Sequence, residues 1–303
     1  MKITVIGEAN IDIFVQPHCD DTANVPTKTC TPGHIRFHHG GVARNIAHNL
    51  CLLGHEVQLI TVFGDDEFAK RLIEDCKNIG MNLSLSTQFK ETKSPIFLSF
   101  TDATGNMQSA VSDIELNTRM DKDWLKNKIN EINHSDLVVA DTLLSAEALT
   151  YLIDHCDAPL YLDAVSPKRA LHIAEALEKS KKKSFFAMKC NRLESLALSE
   201  TNDVTEAAKQ LNSKGIQEVF VTLGEEGVIY GNDEKTYHFP SLPAKVINVT
   251  GSGDAFLAGV VHAHTIGLFG GESLKVALKM AQMNTESEAP VNPMLRNSLF
   301  LSY

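Results

Sequence analysis

The chain has 303 residues, of which 43% are hydrophobic and 22% are charged, a composition typical of proteins that bury a substantial core. Its formal net charge of −10 disfavours nucleic acid and anionic membranes as partners, because these polyanions would be repelled over most of the surface. These figures exclude a disordered chain, and they favour a globular protein whose partner is a small molecule.

The cysteines indicate neither a zinc site nor a dense disulfide framework, because no two of them form a C-x-x-C pair. They are Cys19, Cys30, Cys51, Cys76, Cys156 and Cys190. The sequence also contains no window of eighteen apolar residues, the length that a membrane-spanning helix would need. We therefore expect a cytoplasmic protein that is neither secreted nor embedded in a membrane.

Short β-rich runs alternate with helical patterns along the chain. In chain order the predicted elements are a strand at 2–6, a helix at 42–53, a strand at 57–62, a helix at 66–79, and strands at 137–140, 160–162, 184–188 and 218–222. This alternation predicts an α/β fold with a central, mainly parallel sheet and helices on both faces. No linker rich in Gly, Pro or Ser divides the elements, so we predict a single domain over residues 1–303.

The first predicted strand leads through Gly7 to the segment Asn10-Ile11-Asp12. Residues two apart point to the same face of a strand, so Asn10 and Asp12 share one face of a strand end. A carboxylate in this position can accept two hydrogen bonds from vicinal hydroxyl groups of a sugar. The alternative is a strand end in contact with water only. We hold Asn10 and Asp12 as candidate substrate-binding residues.

Four further strands interrupt the alternation and are predicted to pair as antiparallel hairpins. The first pair is 11–15 with 35–39, and the second is 95–101 with 107–112 around a turn at 102–105. Ligands bind in α/β folds beyond the carboxyl ends of the strands, and these inserts lie close in sequence to the first helix. We therefore predict a small β-sheet lid, formed by about 11–39 and 95–113, over the ligand site.

A glycine-rich turn with the sequence GGVARN spans residues 40–45 and leads into the first predicted helix. The glycines allow the backbone to pass close to a ligand, and the amide of Asn45 offers a donor and an acceptor to a hydroxyl group. A strand-to-helix turn with nothing bound is the competing interpretation. Gly41 and Asn45 are our candidates for substrate binding in this segment.

Two motifs follow later strands of the predicted sheet. In KCNRLE at 189–194, Asn191 and Glu194 lie one helical turn apart and share a face. Their oxygen atoms suit a hydrated Mg²⁺, an ion that tends to keep its waters. In TLGEEG at 222–227, a turn directly after a strand can pass beneath a nucleotide. Both motifs therefore favour a nucleotide site at this edge of the sheet.

The strongest local signal is NVTGSGD at 248–254, a glycine-rich turn that runs into an apolar helix. Such a turn directs unpaired backbone N–H groups and the positive end of the helix dipole at one point, which suits a phosphate group. Asp254 would compete with a phosphate there unless its purpose is to take a proton from an attacking hydroxyl group. The alternative is an ordinary tight turn in which Asp254 caps the helix.

In this order and at these separations, the motifs make the whole chain resemble the ribokinase (PfkB) family. Residues 40–64 are similar to the first signature of that family, and residues 248–259 are similar to the second. The Asn-x-x-Glu pattern at Asn191 and Glu194 and the Thr-Leu-Gly-x-x-Gly pattern at 222–227 fall between them, as in the family. The resemblance implies a ribokinase-like fold and an ATP-dependent kinase.

The resemblance also implies a role for each matching residue. Asp254 would be the catalytic base. Asn191 and Glu194 would organise Mg²⁺ through water. The anion hole would be formed by the backbone amides of Gly251, Ser252 and Gly253. The residues in contact with ATP would be Lys189, Asn191, Thr222, Gly224, Gly227 and Asn284.

Within the family, residues 40–50, 112–114 and 246–251 resemble the branch that phosphorylates pseudouridine. The second of these stretches would place Ser112 or Asp113 against the base of the substrate. Members closer to ribokinase usually carry Asp at the position of Asn248, beside a monovalent-cation site that would here include Asn248 and Thr250. Asn248 departs from that pattern and so weakens the case for K⁺, which is kept as a candidate cofactor only.

The expected reaction is phosphorylation of the 5′-hydroxyl group of a ribosyl nucleoside, with pseudouridine as the substrate. Ribose, another sugar or another nucleoside is the alternative substrate, and an inactive, ligand-sensing homologue is the alternative from a different class of protein. Apolar residues alternate along the first predicted lid hairpin, and they would be an aggregation hazard if left uncovered. We therefore expect a homodimer formed through the lid. These apolar residues are Ile13, Val15, Ile35 and Phe37.

Overall fold

The computed structural model describes residues 1–18, 30–102 and 107–300. Within these ranges the strands are β1 (Lys2–Ile6), β2 (Asn10–Pro17), β3 (Gly33–Gly40), β4 (Glu56–Ile60), β5 (Val62–Phe63), β6 (Thr87–Gln88), β7 (Ile96–Thr101), β8 (Met107–Asp113), β9 (Leu137–Asp141), β10 (Leu160–Asp163), β11 (Phe185–Asn191), β12 (Ile216–Thr222), β13 (Val228–Gly231) and β14 (Thr236–Phe239). The α-helices are α1 (Val42–Leu52), α2 (Glu67–Ile79), α3 (Lys122–Lys126), α4 (Ile129–Ile132), α5 (Ala146–His155), α6 (Pro167–Lys179), α7 (Arg192–Leu198), α8 (Val204–Ser213), α9 (Ser252–Thr265) and α10 (Gly271–Thr285).

The central sheet of the described ranges runs in the spatial order β14-β13-β12-β11-β10-β9-β1-β4. Neighbouring strands are parallel all the way from β4 to β12, so the predicted, mainly parallel α/β sheet is confirmed. The predicted strand at 57–62 is two strands, because the chain leaves the central sheet after β4 and β5 pairs with β6 instead. The antiparallel strands β13 and β14 were not predicted, since each is only four residues long.

Helices cover both faces of the central sheet, as the alternation predicted. On one face, apolar residues of β1, β4, β9 and β12 pack with buried residues of α1, α2, α9 and α10. On the other face, the alternate residues of the same sheet pack with α3, α5, α6 and α8. Because both faces are covered, the central strands are apolar on both sides. No helix in the described ranges is long and apolar enough to cross a membrane.

A second, small sheet has the order β3-β2-β7-β8 and corresponds to the strands predicted for the lid. The pairs β2–β3 and β7–β8 are antiparallel, as predicted, and a parallel pairing of β2 with β7 joins them. Part of the predicted turn at 102–105 falls on residues 103–106, which lie outside the described ranges. The role of this sheet as a lid, and the single domain over 1–303, stay predictions.

The register of the small sheet decides which side chains share a face. Asp12 is paired with His38 on one side and with Phe97 on the other, and Phe97 is paired with Ser112. These four residues therefore form one row across a single face, because directly paired residues point the same way. Asp113 is paired with Ile96 and belongs to the opposite face.

Candidate active site

The glycine-rich turn at 248–254 brings the first turn of α9 to the carboxyl-terminal side of the central sheet. Gly251 is the N-cap of α9 and adopts a left-handed backbone with a φ of 78°. A Cβ atom at Gly251 would lie 2.0 Å from the carbonyl oxygen of Pro290, so the sequence needs glycine there. The Ser252 N–H donates a hydrogen bond to the Val249 carbonyl oxygen over 3.2 Å, whereas the glycine cap has no side chain that accepts from the next amide of the helix, that of Gly253, which suits an anion.

Asp254 is the third residue of α9 and does not cap the helix, so the tight-turn alternative with Asp254 as the cap is wrong. Its side chain is buried, and Asn45 donates a hydrogen bond from Nδ2 to its Oδ2 over 2.8 Å. Burial, together with the negative charge of Asp163, raises the pKa of Asp254 to about 7, although Lys189 and the Asn45 hydrogen bond act in the opposite direction. A carboxyl group with this pKa can exchange a proton near neutral pH.

Asn45 reaches Asp254 because α1 begins at the diglycine turn. Gly41 is the N-cap of α1 with a φ of 98°, and a Cβ atom there would lie 2.4 Å from the carbonyl oxygen of Glu8. That carbonyl oxygen accepts a hydrogen bond from the Arg44 backbone N–H over 3.1 Å. The start of α1 is therefore held against the end of β1, and Asn45 lies between that strand and α9.

Asp12 and Asn10 lie at the start of β2, and both side chains are buried. Burial raises the pKa of Asp12 to about 6, although the Asn10 side chain donates a hydrogen bond to it. The Oδ1 atom of Asn10 is buried without a partner among the described residues. A ligand hydroxyl group could satisfy that oxygen, because an unpaired buried acceptor is costly. The structure thus brings Asn10, Asp12, Asn45 and Asp254 to one crevice beside Gly41.

Lys189, near the end of β11, lies close to the carboxyl groups of Asp163, Glu194 and Asp254. Its Nζ donates hydrogen bonds to Asp163 Oδ2 over 3.1 Å and to Asp163 Oδ1 over 3.3 Å. A Cβ atom on Gly253 would lie 3.0 Å from the same Nζ, so the ammonium group lies directly beneath the first turn of α9. Burial opposes its charge, but Asp163, Glu194 and Asp254 outweigh that effect and raise the pKa of Lys189.

Asn191 and Glu194 form a reciprocal capping box at the start of α7. Asn191 Oδ1 accepts from the Glu194 N–H, and both carboxylate oxygens of Glu194 accept hydrogen bonds from Asn191. Within the described ranges, no three His, Cys, Asp or Glu side chains are arranged to hold a metal ion. The described residues therefore form no direct protein cage for a metal ion, and the oxygen atoms of Asn191 and Glu194 could reach Mg²⁺ only through water.

The residues predicted to contact a nucleotide follow β11 and β12. Thr222 ends β12 and donates a hydrogen bond to the carbonyl oxygen of Cys190 over 3.3 Å. Gly224 and Gly227 have positive φ angles of 64° and 103°, and a Cβ atom on Gly227 would meet the carbonyl oxygen of Phe239 at 2.0 Å. This turn therefore packs against the end of β14 and the residues that follow it.

The residues predicted near a monovalent cation are bound within their own loop. Asn248 Oδ1 accepts from the Thr250 N–H over 2.9 Å, and Asn248 Nδ2 donates to the Glu288 carbonyl oxygen over 3.0 Å. Asn284 is fully buried, donates to the Thr250 carbonyl oxygen, and accepts from the Asn292 N–H. The side chains of Asn248 and Asn284 thus fix the loop that precedes the anion-binding turn.

Ser112 and Asp113, predicted against a substrate base, are both exposed residues of β8, and they point to opposite faces of the small sheet. Ser112 shares the row of Asp12, His38 and Phe97. The structure therefore brings Ser112, and not Asp113, to the face that carries Asp12.

No role was predicted from the sequence for two buried carboxyl groups near the crevice, those of Glu8 and Asp141. Glu8 follows β1, and Asn117 donates a hydrogen bond from Nδ2 to its Oε1 over 2.9 Å. Asp141 ends β9 and accepts from the backbone N–H groups of Glu8 and Leu143. Burial raises the pKa of Glu8 to about 8 and that of Asp141 to about 7. A carboxylate directly after a buried strand was the available sequence signal for both.

Comparison with known proteins agrees with this arrangement. The model of the pfkB family of carbohydrate kinases matches residues 1–296. Pseudouridine kinase from Escherichia coli (strain K12) is 30% identical over 299 residues, which cover 96% of this chain and 92% of that protein. Guanosine-inosine kinase from Exiguobacterium acetylicum is 29% identical over 300 residues, which cover 92% of this chain and 93% of that protein.

The same comparison extends to solved structures. The crystal structure of ribokinase from Thermotoga maritima superposes with a TM-score of 0.78 at 19% identity, covering 95% of this chain and 94% of that one. This likeness confirms the ribokinase-like fold. The chain belongs to the pfkB family of carbohydrate kinases, phosphotransferases that act on a hydroxyl group of a sugar or nucleoside.

Proposed function

We propose that the protein transfers the γ-phosphoryl group of ATP to the 5′-hydroxyl group of a ribosyl nucleoside, with pseudouridine as the substrate. The observation that carries the proposal is the buried Asp254 in the first turn of α9, held by Asn45 at 2.8 Å. It combines a proton acceptor with backbone amides at the positive end of a helix, which is what attack of a hydroxyl group on a phosphate requires. The similarity to pseudouridine kinase supports the choice of substrate.

The proposed reaction is an in-line displacement. The 5′-oxygen of the substrate forms a bond to the γ-phosphorus, the bond from that phosphorus to the bridging oxygen of ADP breaks, and Asp254 receives the hydroxyl proton. The amides of Gly251, Ser252 and Gly253 stabilise the charge of the transferred group. Little covalent chemistry is asked of the protein, so most of the rate enhancement comes from positioning.

The substrate side of the site consists of Asn10, Asp12, Gly41 and Asn45 in this proposal. Asp12 accepts hydrogen bonds from the ribose hydroxyl groups, and the small sheet acts as a lid that excludes water able to hydrolyse ATP. Arg44 is close by, but its guanidinium is paired with Asp75 at 2.7 Å. A buried acidic group and a neutralised arginine favour an unphosphorylated ribosyl group over a sugar phosphate.

The nucleotide side of the site follows β11 and β12. Mg²⁺, when bound with ATP, would neutralise phosphate charge, and Asn191 and Glu194 would hold it through water. Because the Asn248 side chain is already bound within its loop, K⁺ near Thr250 would depend mainly on backbone carbonyl oxygens. The residues proposed to contact ATP are Lys189, Asn191, Thr222, Gly224, Gly227 and Asn284.

A homodimer through the small sheet is the proposed assembly. Ile35, Phe37 and Val111 are 61%, 59% and 66% exposed, and paired neighbours connect Phe37 to Val111 across one face through Ile13 and Leu98. An apolar sheet face of this kind is an interaction surface or an aggregation hazard. A second copy of the chain, presenting the same face, would cover it. The scattered cysteines favour the cytoplasm as the site of this activity.

The proposal is tested by kcat/KM for pseudouridine, uridine, inosine, adenosine and ribose at saturating MgATP. We expect pseudouridine to be the best of the five, with the product phosphorylated at the 5′-oxygen by ³¹P NMR, and 5′-deoxypseudouridine to give no product. A clear preference for free ribose would contradict the nucleoside proposal and leave the kinase family standing. No turnover with any acceptor would favour the inactive, ligand-sensing alternative.

A further inference from the structure

Glu8 and Asn117 join the end of β1 to the segment that follows the small sheet. Asn117 lies in the 3-10 turn Glu115–Arg119, directly after β8, and its Nδ2 donates to Glu8 Oε1 over 2.9 Å. Both side chains are more than nine-tenths buried, at 8% and 2% exposure. The Glu8–Asn117 hydrogen bond therefore connects the end of β1, in the central sheet, to the segment that follows β8, in the small sheet.

The Glu8–Asn117 pair lies next to the proposed substrate crevice. Glu8 lies four residues before Asp12, and the charge of Asp12 is close enough to affect its pKa. The Glu8 carbonyl oxygen is the atom that a side chain at Gly41 would meet. Glu8 is therefore next to two of the residues proposed to hold the ribose, Asp12 and Gly41, and its bond to Asn117 connects it to the segment after the small sheet.

Glu8 and Asn117 each have a side-chain oxygen atom that can form a further hydrogen bond. Asn117 Oδ1 is buried without a partner among the described residues, and no hydrogen bond within these ranges joins Glu8 Oε2 to another residue. Unpaired buried polar atoms are rare and costly. The buried Asn117 Oδ1 atom, on a side chain that is bonded to Glu8, therefore indicates a place where a polar ligand can bind.

The charge state of Glu8 determines which ligand atoms fit. Burial, then the negative charges of Asp141 and Asp12, raise the pKa of Glu8 to about 8, while the Asn117 hydrogen bond and the more distant Arg169 lower it. At neutral pH the group is therefore mostly a neutral carboxylic acid, and its O–H is a donor. The Asn117 Oδ1 atom remains an acceptor. Together the two residues present one donor and one acceptor.

We propose that Glu8 and Asn117 form a base-recognition subsite that binds the lactam edge of a nucleobase, the adjacent ring N–H and carbonyl oxygen. Asn117 Oδ1 accepts from the ring N–H, and Glu8 donates to the carbonyl oxygen. Pseudouracil, uracil and hypoxanthine carry this edge, whereas adenine, cytosine and free ribose do not. The inference rests on the proposed nucleoside kinase activity and adds the class of base that the site selects.

The test uses substrate pairs that differ mainly at this edge: inosine against adenosine, and uridine against cytidine. We expect Glu8→Ala and Asn117→Ala to lower kcat/KM for inosine, uridine and pseudouridine about tenfold to a hundredfold, the usual consequence of losing a buried hydrogen bond to a substrate. The values for adenosine, cytidine and ribose should change by less than about threefold. The wild-type preference for lactam bases should largely disappear in both variants.

Glu8→Gln separates recognition from simple support of the fold. Its amide keeps one acceptor for Asn117 and one donor for the base carbonyl, so we expect it to retain the inosine-to-adenosine preference within about threefold. Above about pH 8 the wild-type preference should fall as Glu8 loses its proton, whereas the preference of Glu8→Gln should stay flat. The ratio of the two substrates cancels the pH dependence of the catalytic base.

Glu218→Gln is the matched control, because Glu218 is another buried carboxyl group with a raised pKa, in the first half of β12 and away from the crevice. Its substrate ratios should equal those of the wild type, and all variants are compared for thermal unfolding and for KM of MgATP. Equal losses for inosine and adenosine in Glu8→Ala would overturn the subsite and leave the proposed activity intact. A wild-type protein that phosphorylates no nucleoside would overturn both.

Discussion

Asn45 in α1 donates a hydrogen bond to Asp254 in α9 over 2.8 Å, although the two residues are 209 positions apart in the sequence. The contact joins the first glycine-rich motif to the second. It fixes the orientation of a carboxyl group whose pKa burial raises to about 7. The proposed base is therefore positioned by a neutral amide, which orients the carboxyl group without contributing a full charge.

Replacement of this carboxyl group tests its role directly. Asp254→Asn keeps the shape of the side chain but cannot accept the hydroxyl proton, so we expect kcat to fall by about a hundredfold to ten-thousandfold. Binding of MgATP and nucleoside, measured by isothermal titration calorimetry, should stay within a few-fold of the wild type. Near-normal turnover in Asp254→Asn would remove this residue from the role of base.

Lys189 is expected to set the pH at which the base becomes active. Its charge lowers the pKa of Asp254, so kcat/KM of the wild type should decline below about pH 7, and in Lys189→Met the decline should begin at a higher pH, by about one unit. Lys189→Arg keeps the charge and should leave the profile close to that of the wild type. An unchanged profile in Lys189→Met would show that the ammonium group does not act on Asp254.

The buried Asp254 should make the protein lose stability as the pH rises from about 4 to about 7. The folded state raises the pKa of Asp254 from 3.8 to about 7, so it holds this proton more tightly than the unfolded state does. The free energy of unfolding must then fall as pH rises through that window. Asp254→Asn has no carboxyl group to ionise at this position. Its Tm should therefore exceed that of the wild type by at least a few degrees more at pH 8 than at pH 5.

The exposed Asp233→Asn is the control for this measurement, because it also removes one carboxylate without changing a buried group. Its Tm relative to the wild type should vary little between the two pH values. A gain for Asp254→Asn that is the same at pH 5 and pH 8 would contradict the raised pKa.

Ser112 and Asp113 form a matched pair in which only the face of the sheet differs. Ser112 shares the row of Asp12, and we expect its hydroxyl group to accept a hydrogen bond from the extra ring N–H of pseudouridine. Ser112→Ala should then lower the preference for pseudouridine over uridine about threefold to tenfold. Asp113→Ala should leave the preference unchanged, because Asp113 points to the opposite face. The measurement is the ratio of the two kcat/KM values, and the reverse result would show that the lid binds through its other face.

The proposed dimer depends on the apolar face of the small sheet. Val111→Asp places a charge on that face, in the edge strand β8, and we expect it to dissociate the dimer in sedimentation equilibrium at micromolar concentration. Leu171→Asp is the control, since Leu171 is an exposed apolar residue of α6, at 49% exposure, far from the small sheet. A wild-type protein that is already monomeric under these conditions would exclude the proposed assembly.

Several predictions from sequence are confirmed because they depend on local patterns. Buried parallel strands are apolar on both sides, and this composition identified β1, β9, β10, β11 and β12. The short strands β13 and β14 were missed, because four residues carry too little periodicity. At Asn191 and Glu194 the one-turn spacing was identified, but the spacing alone could not show that both side chains are bound to each other in a capping box.

The sequence by itself determined the alternation of strands and helices, the glycines that free the amides of α9, and the family to which the motifs belong, since each depends on residues close together in the chain. Only the tertiary structure decided that Asn45 meets Asp254, that Lys189 pairs with Asp163, and that Glu8 meets Asn117. It also decided the face of Ser112 and the raised pKa values of the carboxyl groups. The reason is physical: strand register and burial arise from contacts between distant segments, and a pKa depends on the solvent and charges that those contacts place around a group.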